Sequence, residues 1–192
     1  MRVLLIGAPG AGKGTQAVRV AEHFGLAHIS SGDLLRQHVA KGTATGRAAH
    51  EFIRRGDLVP DSIVMDMLYK PVSAATAAGG YVLDGFPRTV EQAKAAYMVA
   101  RNLGANVQVA VHLDVPRDEL VRRLLARGRG ADDSADVIDH RLDVYEQSTL
   151  PMLDYYTERE QLVTVDGAQP TETVFASLRE RLERIRDELH NS

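Results

Sequence analysis

Apolar positions along the chain fall in short runs separated by longer amphipathic stretches. Val3 to Ile6 is one such run, ending in glycine-rich sequence, as a buried strand does. Lys13 to Phe24 has helical periodicity and stops at Gly25, which suits the residue just past a helix end. Ala27 to Ile29 predicts a second short strand. SSGDLLRQHVAKG opens a helix with capping residues and stops at Gly42, and TATGRAAHEFIRRG gives another, stopped by Gly56. Asp61 fits the cap of a third, SIVMDMLYKP. GYVLDGFPR holds a strand that ends at Asp84, and Thr89 to Leu103 is helical. NVQVAVHLDVP is a strand, with Pro116 suited to the first position of the next helix. RGRGADDSAD then interrupts the pattern. The long helical stretch after it contains Pro151, which should kink or split it. QLVTVDG is a last strand, and Pro170 opens the C-terminal helix.

Strands thus alternate with helices throughout. The pattern predicts a single α/β domain over residues 1–192: a five-stranded parallel sheet in three layers, with helices on both faces and right-handed crossovers. Two regions break the alternation. Residues 30–59 form two small helices between the second and third strands, and residues 128–136 form an Arg/Asp-rich loop. Both follow strands at the carboxyl edge, where ligands of such sheets bind.

Composition adds limits. The chain has 192 residues, 44% hydrophobic and 26% charged, enough for one sizeable core. It has no apolar run of about 18 residues, and MRVLLIG is too short for a signal-peptide core, so a cytoplasmic protein without membrane attachment is expected. With no cysteine there is neither a disulfide framework nor a thiolate zinc site. A net charge of −3 argues against a general nucleic-acid binder. Arginine nonetheless outnumbers lysine by 19 to 4, and Arg is the side chain of bidentate phosphate recognition.

The candidate chemistry starts at LLIGAPGAGKGTQA. Gly7, Gly12 and Lys13 have the spacing of a phosphate-binding P-loop, directly after a strand and opening a helix. The hydroxyl expected after the lysine is missing. Gly14 stands there, and the hydroxyl arrives one residue later, at Thr15. Asp84 ends a strand as a Walker-B aspartate does, a position that serves Mg²⁺. No Glu follows it to activate water, and no D-x-x-G or N-K-x-D is present, so the phosphoryl group should pass to a second substrate. A phosphate monoester would be an acceptor that is already ionised and needs clamping rather than a base. Arg36, Arg88, Arg123, Arg127, Arg129 and Arg141 fall near strand ends and polar interruptions, as such a clamp requires.

GAPGAGKGT, SSGDLLR, RRGDLVPD, LDGFPRTVEQA and DD…R…Y…PMLDYY together resemble adenylate kinase, in its bacterial form with a short lid, over nearly the whole chain. The resemblance implies a P-loop NTPase-type fold with a core (1–29, 60–126, 137–192), a helical NMP-binding insertion (30–59) and a lid (127–136). It implies reversible phosphoryl transfer from ATP to AMP, giving two ADP, in adenine nucleotide homeostasis. G-x-P-G-x-G-K-G-T is that family's loop, so Gly14 is ordinary there. Mg²⁺ would come with ATP, held by substrate phosphates and waters, with Asp84 behind the waters. The ATP site would comprise Gly10, Ala11, Gly12, Lys13, Gly14, Thr15, Arg123, Arg127 and the backbone near Gln169. AMP would meet Ser31, Arg36, Ile53, Asp57, Leu58, Val59, Gly85, Phe86, Pro87, Arg88, Gln92, Arg129 and Arg141. Lys13, Arg88, Arg123, Arg127, Arg129 and Arg141 would act in transfer, with Asp132 and Asp133 at the lid hinge. The implied partners are the two small-molecule substrates, with no nucleic acid and no membrane, and the chain is expected to be a monomer. Two departures stand out: Ser31 where the family usually has Thr, and a lid too short for a zinc site, in which Gly130 looks inserted. Closure would then come from arginines drawn onto phosphates. UMP/CMP kinase is the alternative on the same fold. Gln92 argues against it, since an amide pairs with both the acceptor and the donor of an adenine edge. A nucleotide sensor without catalysis would have no need of a second phosphate clamp.

Overall fold

The computed structural model of the chain describes residues 1–128, 134–159 and 161–191. Five strands form one parallel sheet: β1 (Arg2–Ile6), β2 (Ala27–Ser30), β3 (Tyr81–Asp84), β4 (Val109–Asp114) and β5 (Leu162–Asp166). Their spatial order is β2-β3-β1-β4-β5. β1 is central, pairing with β3 through Leu5↔Asp84 and with β4 through Ile6↔His112. Its alternation is apolar on both sides. Val3 and Leu5 join one buried cluster, Leu4 and Ile6 the other. That is the pattern of a strand covered on both faces.

One face is covered by α1 (Lys13–Phe24), α6 (Arg117–Arg127), α7 (Ala135–Val144) and α9 (Thr171–His190), whose Val20, Leu124, Leu142 and Leu178 are almost fully buried. The other is covered by α4 (Asp61–Ala77), α5 (Val90–Asn102) and α8 (Pro151–Thr157), through Leu68, Ala93 and Met152. Between β2 and β3, α2 (Ser31–Ala40) and α3 (Ala44–Arg55) form a hairpin that projects past the carboxyl edge. Ser30 caps α2 by accepting from the Asp33 N–H, and Thr43 caps α3 by accepting from that of Gly46.

At two prolines the boundaries differ from the sequence reading. α4 does not stop at Pro71 but runs through it to Ala77. Pro71 forfeits one backbone bond, while the turns beyond it bury Ala75 and pack Val72 against the core. α6 starts one residue after Pro116, which occupies the cap position. Pro151 splits its helical pattern, as expected. α7 passes into a π-helical turn at Tyr145–Thr149, closed by the Leu150 N–H donating to the Tyr145 carbonyl at 3.0 Å, and α8 begins at Pro151.

Candidate active site

The carboxyl ends of β1 and β3 lie side by side, and the loops leaving them build the site. Residues 7–12 leave β1 and enter α1 through Gly10 (φ 87°) and Gly12 (φ 90°), both in the left-handed region that glycine alone adopts cheaply. No side chain caps α1, so its first-turn N–H groups and the positive end of its dipole are presented to an anion. Lys13 folds back over the loop and donates to the carbonyls of Gly7 (2.8 Å) and Ala8 (3.0 Å). Burial lowers its pKa to about 8. The Asp84 carboxylate opposes that shift, and Arg88, Arg141 and Arg127 add to it. Lys13 therefore sits within the field of a carboxylate and three guanidinium groups.

Asp84 is 8% exposed, and its Oδ1 is buried with no hydrogen-bond partner. A side chain at position 14 would bring its Cβ to 3.8 Å from Asp84 Oδ2. Gly14 thus keeps open the space a Ser or Thr would fill in the commoner loop. An uncompensated carboxylate oxygen beside a polyphosphate cradle suits a hydrated Mg²⁺. Among the described residues, no group of three or more His, Cys, Asp or Glu is placed to hold a metal ion.

Beyond Asp84 the chain turns at Gly85 (φ 84°), where any Cβ would stand 2.6 Å from Ser31 Oγ. That close approach brings β3 against the start of α2. Ser31 is 1% exposed, with its hydroxyl unpartnered. Phe86 and Pro87 follow through a cis peptide bond. Arg88 is held on three sides: its Nε donates to the Gly85 carbonyl (2.7 Å), its N–H to Gln92 Oε1 (2.7 Å), and its carbonyl accepts from the Thr149 hydroxyl (2.8 Å).

Two cavities flank this centre. The first, of about 450 Å³, is bounded by Gly10, Ala11, Gly12, Thr15, Arg123 and Gln169 together with Glu119 and Gly167. Arg123 is fixed there by Glu119 (2.6 Å) and the Gly167 carbonyl (3.0 Å), while Gln169 donates to Asp166 (2.7 Å). The second, of about 90 Å³, is lined by Ser31, Arg36, Ile53, Asp57, Leu58, Val59, Gly85, Phe86, Arg88, Gln92, Arg127 and Arg141. A smaller space of about 60 Å³ lies between Lys13 and Arg88, with Pro87, Arg141 and Thr149 on its wall. Arg127 borders the second cavity, not the first, where contact with ATP phosphates would have put it. Arg36 is paired with Asp33 on the same helix. Arg129, Asp132 and Asp133 lie outside the described residues.

Several participants carry no local signal in the sequence. Thr149 reaches Arg88 across 61 positions, and Asp61 accepts from Gln92 Nε2 at 2.7 Å across 31. His140 on α7 meets Asp57 just past α3 at 2.7 Å, and Arg141 packs against Gly56. Glu119 with Arg123, an i,i+4 pair, and Asp33 with Arg36, an i,i+3 pair, could have been found by spacing.

A phosphate cradle and an arginine-lined pocket, facing each other across Lys13 and Arg88, define a P-loop phosphotransferase. Comparison with known proteins gives the family. The adenylate kinase family model matches residues 5–161. An adenylate kinase of Mycobacteroides abscessus is 44% identical over 184 residues, covering 96% of this chain and 100% of that protein. One of Rhodococcus erythropolis is 47% identical over 176 residues, covering 92% and 96%. One of Trichodesmium erythraeum is 40% identical over 190 residues, covering 96% and 99%. The chain belongs to the adenylate kinase family. Its reaction is phosphoryl transfer from ATP to AMP, giving two ADP, and these relatives lend no support to the UMP/CMP kinase alternative.

Proposed function

We propose that the cavity beside Gly10–Thr15, Arg123 and Gln169 takes ATP, and that the one beside Ser31, Arg36, Arg88 and Gln92 takes AMP. The observation that carries this reading is that Lys13, from the loop bordering the first cavity, and Arg88, from the lining of the second, border one small space. A phosphoryl group crossing it would leave the reach of the cradle and enter that of the clamp. Transfer of this kind needs alignment and charge stabilisation more than a base. A guanidinium that keeps two donors free can hold phosphates on both sides at once.

Mg²⁺ arriving with ATP would be held through water by Asp84, with Thr15 close to the phosphates. It would neutralise charge on the oxygens that Lys13 also faces. The second cavity, at about 90 Å³, is well below the roughly 300 Å³ of a typical ligand site, so the α2–α3 hairpin has to move outward to admit AMP. This supports treating 30–59 as an NMP-binding unit that moves against the core, with the lid at 127–136. The protein is proposed to act as a monomer in the cytoplasm. Among the described residues, no helix is long and apolar enough to cross a membrane.

Paired variants test the two assignments. Arg36→Ala should raise KM for AMP at least about tenfold and leave KM for ATP within twofold, one charge-assisted contact being worth about 1.5–3 kcal/mol. Arg123→Ala should do the reverse. Both variants acting on the same substrate would overturn the assignment of the two cavities.

A further inference from the structure

Gln92 is 3% exposed, lines the acceptor cavity, and has both ends of its amide engaged by other elements of the fold. Its Oε1 accepts the Arg88 N–H at 2.7 Å, and its Nε2 donates to Asp61 Oδ1 at 2.7 Å. Its backbone is fixed as well, because the Gln92 N–H donates to the Thr89 hydroxyl that caps α5. A backbone N–H can only donate and a carboxylate can only accept. The two partners therefore demand the same orientation, and the amide cannot rotate by half a turn without setting donor against donor at Arg88 and acceptor against acceptor at Asp61.

An amide has two N–H groups and two oxygen lone pairs. One of each is consumed by Asp61 and Arg88, which leaves one donor and one acceptor in a fixed order for a bound base. A 6-amino purine presents a ring acceptor (N1) beside an amino donor (N6), whereas a 6-oxo purine presents a ring N–H (N1) beside a keto acceptor (O6). An amide locked one way round serves the first class, and the reversed amide serves the second. Resting on the reading that Gln92 meets the AMP base, we infer that Asp61 is a positioning residue that sets amino-against-keto discrimination in the acceptor pocket by holding the Gln92 amide in one orientation. Asp61 stands in the first turn of α4, outside the cavity lining, and acts only through Gln92.

The experiment compares wild type, Asp61→Ala and Asp61→Asn with AMP and GMP as acceptors and ATP as donor. Asp61→Ala should lower the ratio of kcat/KM for AMP over GMP by about five- to tenfold, the range of one lost hydrogen bond. The change should fall mainly on the two acceptor KM values, with KM for ATP within twofold of wild type. Asp61→Asn can accept but can also donate, so it should fall between wild type and alanine, and it guards against a folding defect in Asp61→Ala. Gln92→Leu is measured in parallel. If it leaves KM for AMP unchanged, the assignment of Gln92 to the base has failed. If it raises KM for AMP but the Asp61 variants keep the wild-type AMP/GMP ratio, the orientation role is overturned while the Gln92 assignment stands. Asp61 variants that lose thermal stability with no change in the ratio would reduce Asp61 to a helix-start residue, which also overturns it.

Discussion

Lys13 sits between opposing influences. Burial and three arginines push its proton off, and Asp84 holds it on, leaving a pKa of about 8 against an ordinary value of 10.5. In the free enzyme, its charge is therefore present below about pH 8 and lost above it. Bound polyphosphate favours the charged form and moves the transition upward. The pH profile of kcat/KM for ATP should show an alkaline limb near pH 8, and that of kcat should show the limb at higher pH. An unchanged profile through pH 10 would contradict this account of Lys13. Arg88 invites a second substitution. Its Nε is committed to the Gly85 carbonyl, and the rest of its guanidinium faces the transfer space. Arg88→Lys keeps the charge but loses the fork, so kcat should drop by about 100- to 1,000-fold, the scale of a lost transition-state donor. Steady-state kinetics at saturating nucleotide would check this, and near-normal turnover would contradict it. Lys13 and Gly14 were legible from spacing alone, and Asp84 from its place at a strand end. The buried, unpartnered Oδ1 of Asp84 was not, because accessibility is a property of the assembled sheet.

At the scale of elements, periodicity carried most of the information. The central strand reads as an uninterrupted apolar run because both of its faces are covered, and each helix of the α2–α3 hairpin ends near a glycine or cap residue that names its boundary. What periodicity could not give was the continuation of α4 past Pro71 and the π-helical turn ahead of Pro151. Pro71 is carried through α4, whose turns beyond it bury Ala75 and pack Val72 against the core. Pro151 instead follows a π-helical turn, whose last residue, Thr149, bonds to Arg88. The consequence is testable. Thr149 is 7% exposed, and its hydroxyl donates to the Arg88 carbonyl at 2.8 Å. Thr149→Val preserves shape but leaves that carbonyl without its partner. Urea unfolding should show a loss of about 1–3 kcal/mol, with kcat reduced because the loop carrying Arg88 is loosened. No loss of stability would show that the hydrogen bond is replaced by water.

On the scale of the whole molecule, two buried clusters, one on each face of the sheet, fix the core, and the α2–α3 hairpin joins the second of them through Leu35 and Ala49. In this structure the hairpin end meets α7. His140 pairs with Asp57, Arg55 pairs with the same carboxylate, and Arg141 rests on Gly56. Exposed pairs of this kind contribute about 0–1 kcal/mol each, weak enough to be exchanged for nucleotide contacts. Hydrogen exchange should accordingly show residues 30–59 gaining protection when AMP is added alone, with β1, β3 and β4 unchanged. Equal protection with and without AMP would mark the hairpin as a fixed wall. None of these contacts between α7 and the hairpin could be foreseen, since His140 and Asp57 are 83 positions apart and neither belongs to a local pattern. The glycine-rich loop and the arginines proposed as a clamp were visible as residue types in sequence. That Lys13 and Arg88 border a single small space depends on the order β3-β1-β4, which sets the loops after β1 and β3 side by side.

Direct passage of one phosphoryl group between two bound nucleotides is the expected reaction. Its most direct test is product stoichiometry in purified protein supplied with Mg²⁺, ATP and AMP. The account predicts that two ADP appear for each AMP consumed, that no inorganic phosphate accumulates, and that ADP alone regenerates ATP and AMP. ATP conversion to ADP and phosphate, with AMP left unchanged, would contradict it.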